Sequence, residues 1–221
     1  MNFFNLLKSL DELLYEVMSW LIFYPVTLWR TLVRPLKMMD YSDLEQRDAE
    51  DKQYTDTLTP PLFLLLTLIL GHAIELSIVG QAEEIGNKVG LSALISDDSS
   101  LILLRTATFS LFPLVLAARL LRAKKTPLDR ETLRGPFYAQ CYVTAPLALI
   151  SGLSEVLIRL SHTWSVLAGA GLYLFALLWF GTLQILWFRQ HLRTSAIKSF
   201  GHASRAMVES LIAVAFLAWL F

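Results

Sequence analysis

Five long apolar runs constrain this chain more than any other feature. They cover residues 61–80, 101–121, 137–158, 165–188 and 206–221. A helix needs about 20 mostly apolar residues to cross the roughly 30 Å hydrocarbon core of a bilayer. The first four runs meet that length. The fifth has 16 residues, which reach only about 24 Å at the α-helical rise, so it is expected to begin earlier, near Ile197, or to sit in thinned bilayer. Composition agrees. Hydrophobic residues make up 55% and charged residues 17%, with a mean hydropathy of +0.51. Soluble domains are poorer in the first and richer in the second. Lys+Arg and Asp+Glu both number 19, so no net field favours a nucleic acid. The single cysteine, Cys141, excludes an intramolecular disulfide framework and a thiolate metal cluster.

The expectation is an all-α, polytopic membrane protein with five transmembrane helices, preceded by N-terminal interfacial amphipathic helices. The N-terminus lacks the basic start, short apolar run and cleavage site of a secretory signal, so the first long span is expected to direct insertion. Basic residues in the connections then set the orientation. Residues 1–60 carry six Lys/Arg, the next connection only Lys88, the third Arg122, Lys124, Lys125, Arg130 and Arg134, the fourth only Arg159, and the last Arg189, Arg193, Lys198 and Arg205. This alternation places the N-terminus in the cytoplasm and the C-terminus outside, in what is expected to be a bacterial inner membrane.

Residues 1–39 read as membrane-surface helices. Asn2, Asn5, Ser9, Glu12, Glu16 and Ser19 recur at alternating three- and four-residue spacing, which makes one polar stripe on an otherwise apolar helix. A core helix of a soluble domain would look similar, but no other segment could complete that core. Pro25 is expected to end or kink this helix. A second amphipathic stretch follows, with Arg30, Arg34 and Lys37 on its polar face and Trp29 on its apolar face. Basic heads beside an aromatic suit anionic lipids of the cytoplasmic leaflet. Residues 40–59 read as a charged, solvated linker, since 40–56 hold seven Asp/Glu against Arg47 and Lys52. Thr59 before Pro60-Pro61 suits a helix start. The transmembrane domain is then 60–221.

Ionisable residues inside the spans are the sharpest chemical signal, because each is costly facing lipid. They are His72 and Glu75 on the first span, Arg105 on the second, Glu155 with Arg159 on the third, and Glu209 on the fifth; Gln140 and Gln184 add amides. Counting the rise per residue from the inner edge puts Glu75 at about 21 Å, Arg105 at about 24 Å and Glu155 at about 27 Å. Glu75 and Arg105 are therefore expected to pair in the outer half, with His72 and Glu155 close by. Catalytic signatures are missing. The four histidines fall in different regions and form no HExxH, and neither a GxSxG elbow nor a P-loop occurs. Neither cofactor nor metal is expected. Ala168-Gly169-Ala170-Gly171 and Ser151-Gly152 read as small residues that let helices approach.

Two stretches resemble a known family. Residues 137–152, FYAQCYVTAPLALISG, with Tyr142 and Pro146, are similar to the third span of Yip-type integral membrane proteins. Residues 179–200, WFGTLQILWFRQHLRTSAIKSF, are similar to that family's fourth span and following basic loop. Residues 27–39, TLWRTLVRPLKMM, resemble the membrane-edge segment that opens bacterial, permease-like members. The resemblance implies a five-span, membrane-organising or permease-like protein with no defined reaction. The acidic motif of the eukaryotic members has no counterpart in residues 40–56, so a trafficking-GTPase partner is not implied. The expected function is a non-enzymatic protein that organises partners or lipids, with a membrane-protein partner or a second copy of itself. The alternatives are a small permease built on His72, Glu75 and Arg105, and an accessory subunit of a larger complex.

Overall fold

The computed structural model describes residues 3–49, 52–80 and 98–220. Among these residues there are helices and no strands. The helices are α1 (Phe3–Val33), α2 (Pro35–Glu45), α3 (Pro60–Ile78), α4 (Asp98–Lys124), α5 (Arg130–Arg159), α6 (Thr163–Leu192) and α7 (Ala196–Leu220). Five of them, α3 to α7, are long and apolar enough to cross a membrane. The chain is a multi-pass membrane protein. Its last span is not short: α7 begins at Ala196, ten residues before the apolar run, and the amphipathic start adds almost three turns. The connection at 81–97, with Lys88, Glu83 and Glu84, lies outside the described residues.

The third span, α5, is the centre of the bundle. Of its most apolar window 56% is buried, against 17–33% in the other spans. It packs on α2, α3, α4 and α6. Small side chains make this possible, because Ala139, Cys141, Ala145 and Ala148 are all buried along it. Where lipid is as apolar as leucine, close backbone approach replaces hydrophobic drive. Two cores flank α5. One joins α4, α5, α6 and α7 through Leu116, Leu120, Val143, Phe180, Trp187 and Ala206. The other joins α2, α3 and α5 through Met38, Tyr54, Leu58, Phe63, Leu64 and Tyr142. Asp129 starts α5 by accepting from the N–H groups of Glu131 and Thr132 at 3.0 and 2.8 Å, and the Asp129 N–H donates back to the Thr132 hydroxyl.

Two sequence expectations need correction. Helix α1 does not end at Pro25 but continues past it, 31 residues in all. Packing overrides the proline, because Trp20, Phe23, Tyr24 and Leu28 lie against one core and Thr27 and Thr31 are fully buried. The break comes instead at Arg34, held at φ −137° ahead of Pro35, where the proline ring disfavours helical geometry in the residue before it. The expected linker is the second correction. The 39/40 boundary falls within α2, and Ser42, Tyr54, Thr57 and Leu58 are buried. The acids around them are used as well. Asp40 accepts from Gln190 Nε2 at 2.8 Å, and Asp43 lies 3.3 Å from His191 Nε2, so α2 is fastened to the end of α6.

Candidate functional site

The site begins on α3. His72 and Glu75, one turn apart, present their side chains on one face, and both are buried. Arg105 comes from α4 and Arg159 from the last turn of α5. The two arginines take different oxygens of one carboxylate: Arg105 Nη1 donates to Glu75 Oε2 at 2.6 Å, and Arg159 Nη1 to Oε1 at 2.7 Å. His72 Nδ1 lies 3.9 Å from Oε2. Only 6% of the Glu75 side chain is exposed, against 20% of each arginine. Charge-assisted bonds on both oxygens satisfy a buried carboxylate that would otherwise be costly.

His72, Glu75 and Arg105 line a cavity of about 430 Å³ between α3, α4, α5 and α6. Ser151, Gly152 and Glu155 of α5 and Tyr173 of α6 form the opposite wall. Glu155 is exposed towards this space. Two guanidiniums against Glu75 leave one positive charge, and the Glu155 carboxylate supplies its complement on the same cavity. The structure thus brings His72, Glu75, Arg105 and Glu155 to one cavity and adds to Glu75 a second arginine, Arg159, which the sequence places on the third span beside Glu155 but which was not among the residues expected to cluster. Its signal was there: Arg159 lies four residues after Glu155, on the same face of α5.

Arg30, Arg34 and Lys37, the basic residues expected at the membrane surface, are all exposed. One of them is paired: Arg30 Nη1 lies 2.7 Å from Asp56 Oδ2 in an exposed ion pair. Asp56 also accepts from the Tyr41 hydroxyl at 2.7 Å. Burial works to raise the Asp56 pKa, but the bonds from Arg30 and Tyr41 outweigh it and hold the carboxyl below the ordinary range.

A hydroxyl network, missed in the sequence, continues from there. Tyr142 of α5 donates to the Leu58 carbonyl at 2.8 Å and lies 3.2 Å from the Thr57 hydroxyl. The Leu58 N–H donates to Thr27 Oγ1 at 3.1 Å. Tyr54, at φ 55°, donates its N–H to the Glu45 carboxylate and accepts from Gln46 at 2.8 Å. Residues 54–58 are therefore bound to α1, α2 and α5 together. On the other side of the bundle, Glu209 of α7 accepts from the exposed Arg205 at 2.9 Å and lies 3.8 Å from Arg119 of α4.

Among the described residues, no three His, Cys, Asp or Glu side chains gather closely enough to hold a metal ion. Comparison with protein-family models, with curated proteins and with solved structures finds no match.

Proposed function

We propose that this membrane protein is non-enzymatic and organises partners or lipids in a bacterial inner membrane, with its N-terminus in the cytoplasm. The observation that carries the reading is the double occupation of Glu75. A carboxylate gripped on both oxygens by arginines from two neighbouring spans serves as a fastener between α3, α4 and α5. Charges inside a bundle that pair with one another satisfy their burial without any solute. Helix α1 supports the same reading. Its face with Phe23, Tyr24 and Thr27 lies on the bundle, while Leu14, Met18, Leu21, Trp29 and Leu32 on the far side are exposed. An apolar stripe of that length suits the acyl boundary of a bilayer or a partner helix. The Yip-type resemblance of residues 137–152 and 179–200 points the same way, towards a membrane-organising role.

A second reading is favoured by the cavity. Its volume of about 430 Å³, with His72, Glu75, Arg105 and Glu155 on its walls, falls in the range of small-molecule sites. A small permease would use it as a solute or proton path. One pair of measurements separates the two readings. The full chain is purified in mild detergent and its companions identified, and it is also reconstituted into vesicles loaded with a pH-sensitive dye. The organising reading expects stoichiometric protein or lipid companions and no proton flux above that of empty vesicles. Flux that disappears in Glu75→Gln/Arg105→Met, with no companion recovered, would replace it by the permease.

A further inference from the structure

Helix α3 is barely long enough to cross a bilayer. Its 19 residues, Pro60–Ile78, cover about 28 Å of a roughly 30 Å core, so the whole of it lies in hydrocarbon. Helix α1 is fixed to it within that layer. The Tyr24 hydroxyl donates to Thr67 Oγ1 at 3.2 Å, and the Tyr24 ring stands 5.5 Å from that of Phe63. Thr67 is about 10 Å past the start of α3. Trp20 and Phe23 pack on the same core. The middle of α1 therefore sits beneath the headgroups, at acyl-chain depth. It does not go on across the membrane. Lys8, Glu12 and Glu16 are exposed on the turns that precede Trp20, and charges carried into the middle of the hydrocarbon are costly. Helix α1 runs along one leaflet, with this polar edge towards the headgroups and water.

The face of α1 opposite the bundle is apolar. Leu14, Met18, Leu21, Ile22, Trp29 and Leu32 fall on it, in a stripe about 27 Å long. Met18 and Leu21 are 60% and 67% exposed. At this depth only acyl chains, or a helix lying among them, can cover such a face. Headgroup charge does not hold it there. Between Lys8 and Tyr24 one base stands against three acids, Asp11, Glu12 and Glu16, a balance that an anionic surface repels. Insertion then rests on apolar area alone, and it is easiest where headgroups part. We propose that α1 is a wedge in one leaflet, its far face covered by the acyl chains of loosely packed lipid, and that it selects lipid by packing and not by charge. This deepens the proposed function and rests on its lipid arm, because it names the kind of lipid that the protein gathers.

The test uses the full chain in vesicles. Cys141 is buried, so a cysteine placed at Met18, Leu21 or Glu12 alone takes a fluorescent label. The vesicles are dioleoylphosphatidylcholine with bromine on part of the chains. Packing is tightened with saturated chains in the fluid phase, and charge is added as phosphatidylglycerol with the chains unchanged. Labels at Met18→Cys and Leu21→Cys should be quenched by bromine and not by aqueous iodide, and the label at Glu12→Cys should show the reverse. Tighter packing should reduce the bromine quenching, and phosphatidylglycerol should leave it as it is. Iodide reaching Met18→Cys puts the stripe in water and overturns the wedge. Shielding from both quenchers overturns it in favour of a second copy or a partner helix. Quenching that rises with phosphatidylglycerol, or that ignores packing, overturns the selection by packing. Lipid companions retained in detergent without an inserted stripe would leave the organising role standing and remove the wedge. An inserted stripe with no companion retained would instead count against the organising role.

Discussion

The side chains of Gln140 and Gln184 hydrogen-bond to each other twice, Nε2 to Oε1 in each direction, at 2.9 and 2.8 Å. Both are fully buried, one on α5 and one on α6. In hydrocarbon no water can replace either bond, so the amides depend on one another. Gln140→Leu should destabilise the bundle by about 1–2 kcal/mol, because it orphans Gln184. Gln140→Leu/Gln184→Leu should recover most of the loss, because neither polar group is then left unpaired. Unfolding midpoints of the three variants in one detergent give the coupling directly. A double variant no more stable than the single one would mean that the pair also sets the helix register.

The same interface depends on a single glycine. A Cβ on Gly169 would stand 2.7 Å from the Ser154 carbonyl oxygen and 2.8 Å from Ile158 Cγ1, whereas one on Gly171 would meet nothing within 4 Å. Gly169→Ala should therefore push α6 off α5 at a cost of about 1–3 kcal/mol. Gly171→Ala should stay within about 0.5 kcal/mol of the parent. Thermal stability of the two detergent-solubilised variants checks this. Equal effects would place the close approach elsewhere in the Ala-Gly-Ala-Gly run.

The spans were legible because a bilayer imposes one length and one composition on whatever crosses it. Depth counting also put Glu75 and Arg105 at one level, and their side chains lie 2.6 Å apart. The pairing of Arg159 with Glu75 was not foreseen, because Arg159 lies at the very end of the third span, and its long side chain reaches Glu75 from there. Residues 54–58 escaped for a different reason. Their acidic neighbours made the whole stretch look solvated. In fact Tyr54, Thr57 and Leu58 turn in, and Asp56 pairs with Arg30. Average polarity over such a window conceals which individual side chains are buried. Pro25 misled because a helix-breaking preference is local, whereas the packing of Phe23, Tyr24 and Thr27 is tertiary.

Orientation can be read with reporters. The basic alternation predicts a fusion after Phe221 to be active outside and a fusion at Lys125 to be active in the cytoplasm. Alkaline phosphatase and green fluorescent protein at the two positions should give opposite, complementary signals. The inverse pattern at both would turn the whole chain over.

Titration should reveal the clamp around residues 41–56. Burial raises the pKa of Tyr41 and of Tyr54 above the ordinary 10.0. Their neutral forms are favoured in the fold, so their contribution to stability is intact below pH 10. It is lost as the pH rises further, when the unfolded chain ionises and the fold resists. Asp56 has the opposite sign: its pKa is lowered, so its contribution is present above the ordinary 3.8 and is lost as the pH falls. Ultraviolet titration of the native protein should show phenolate appearing late, and Tyr41→Phe and Tyr54→Phe should each remove part of that late rise. Complete ionisation of all seven tyrosines near pH 10 without unfolding would contradict the burial.

The three-way ion cluster makes the most demanding prediction. Glu75→Gln leaves two guanidiniums facing a neutral amide in a largely buried site, and losses of about 3–5 kcal/mol accompany such orphaned charges. Arg105→Met and Arg159→Met should each cost less, because the carboxylate keeps the other arginine. Removing both should be as damaging as Glu75→Gln, since it strands a buried anion. Glu75→Gln/Arg105→Met is the informative combination. It removes one charge of each sign and leaves Arg159 one turn from Glu155 on α5, a spacing at which opposite charges meet. Most of the stability should return. The midpoint of thermal unfolding in detergent, measured for all five variants, fixes the order. If the combined variant is as unstable as Glu75→Gln, pairing to Glu155 does not occur, and the Glu75 carboxylate is needed to hold Arg159 itself.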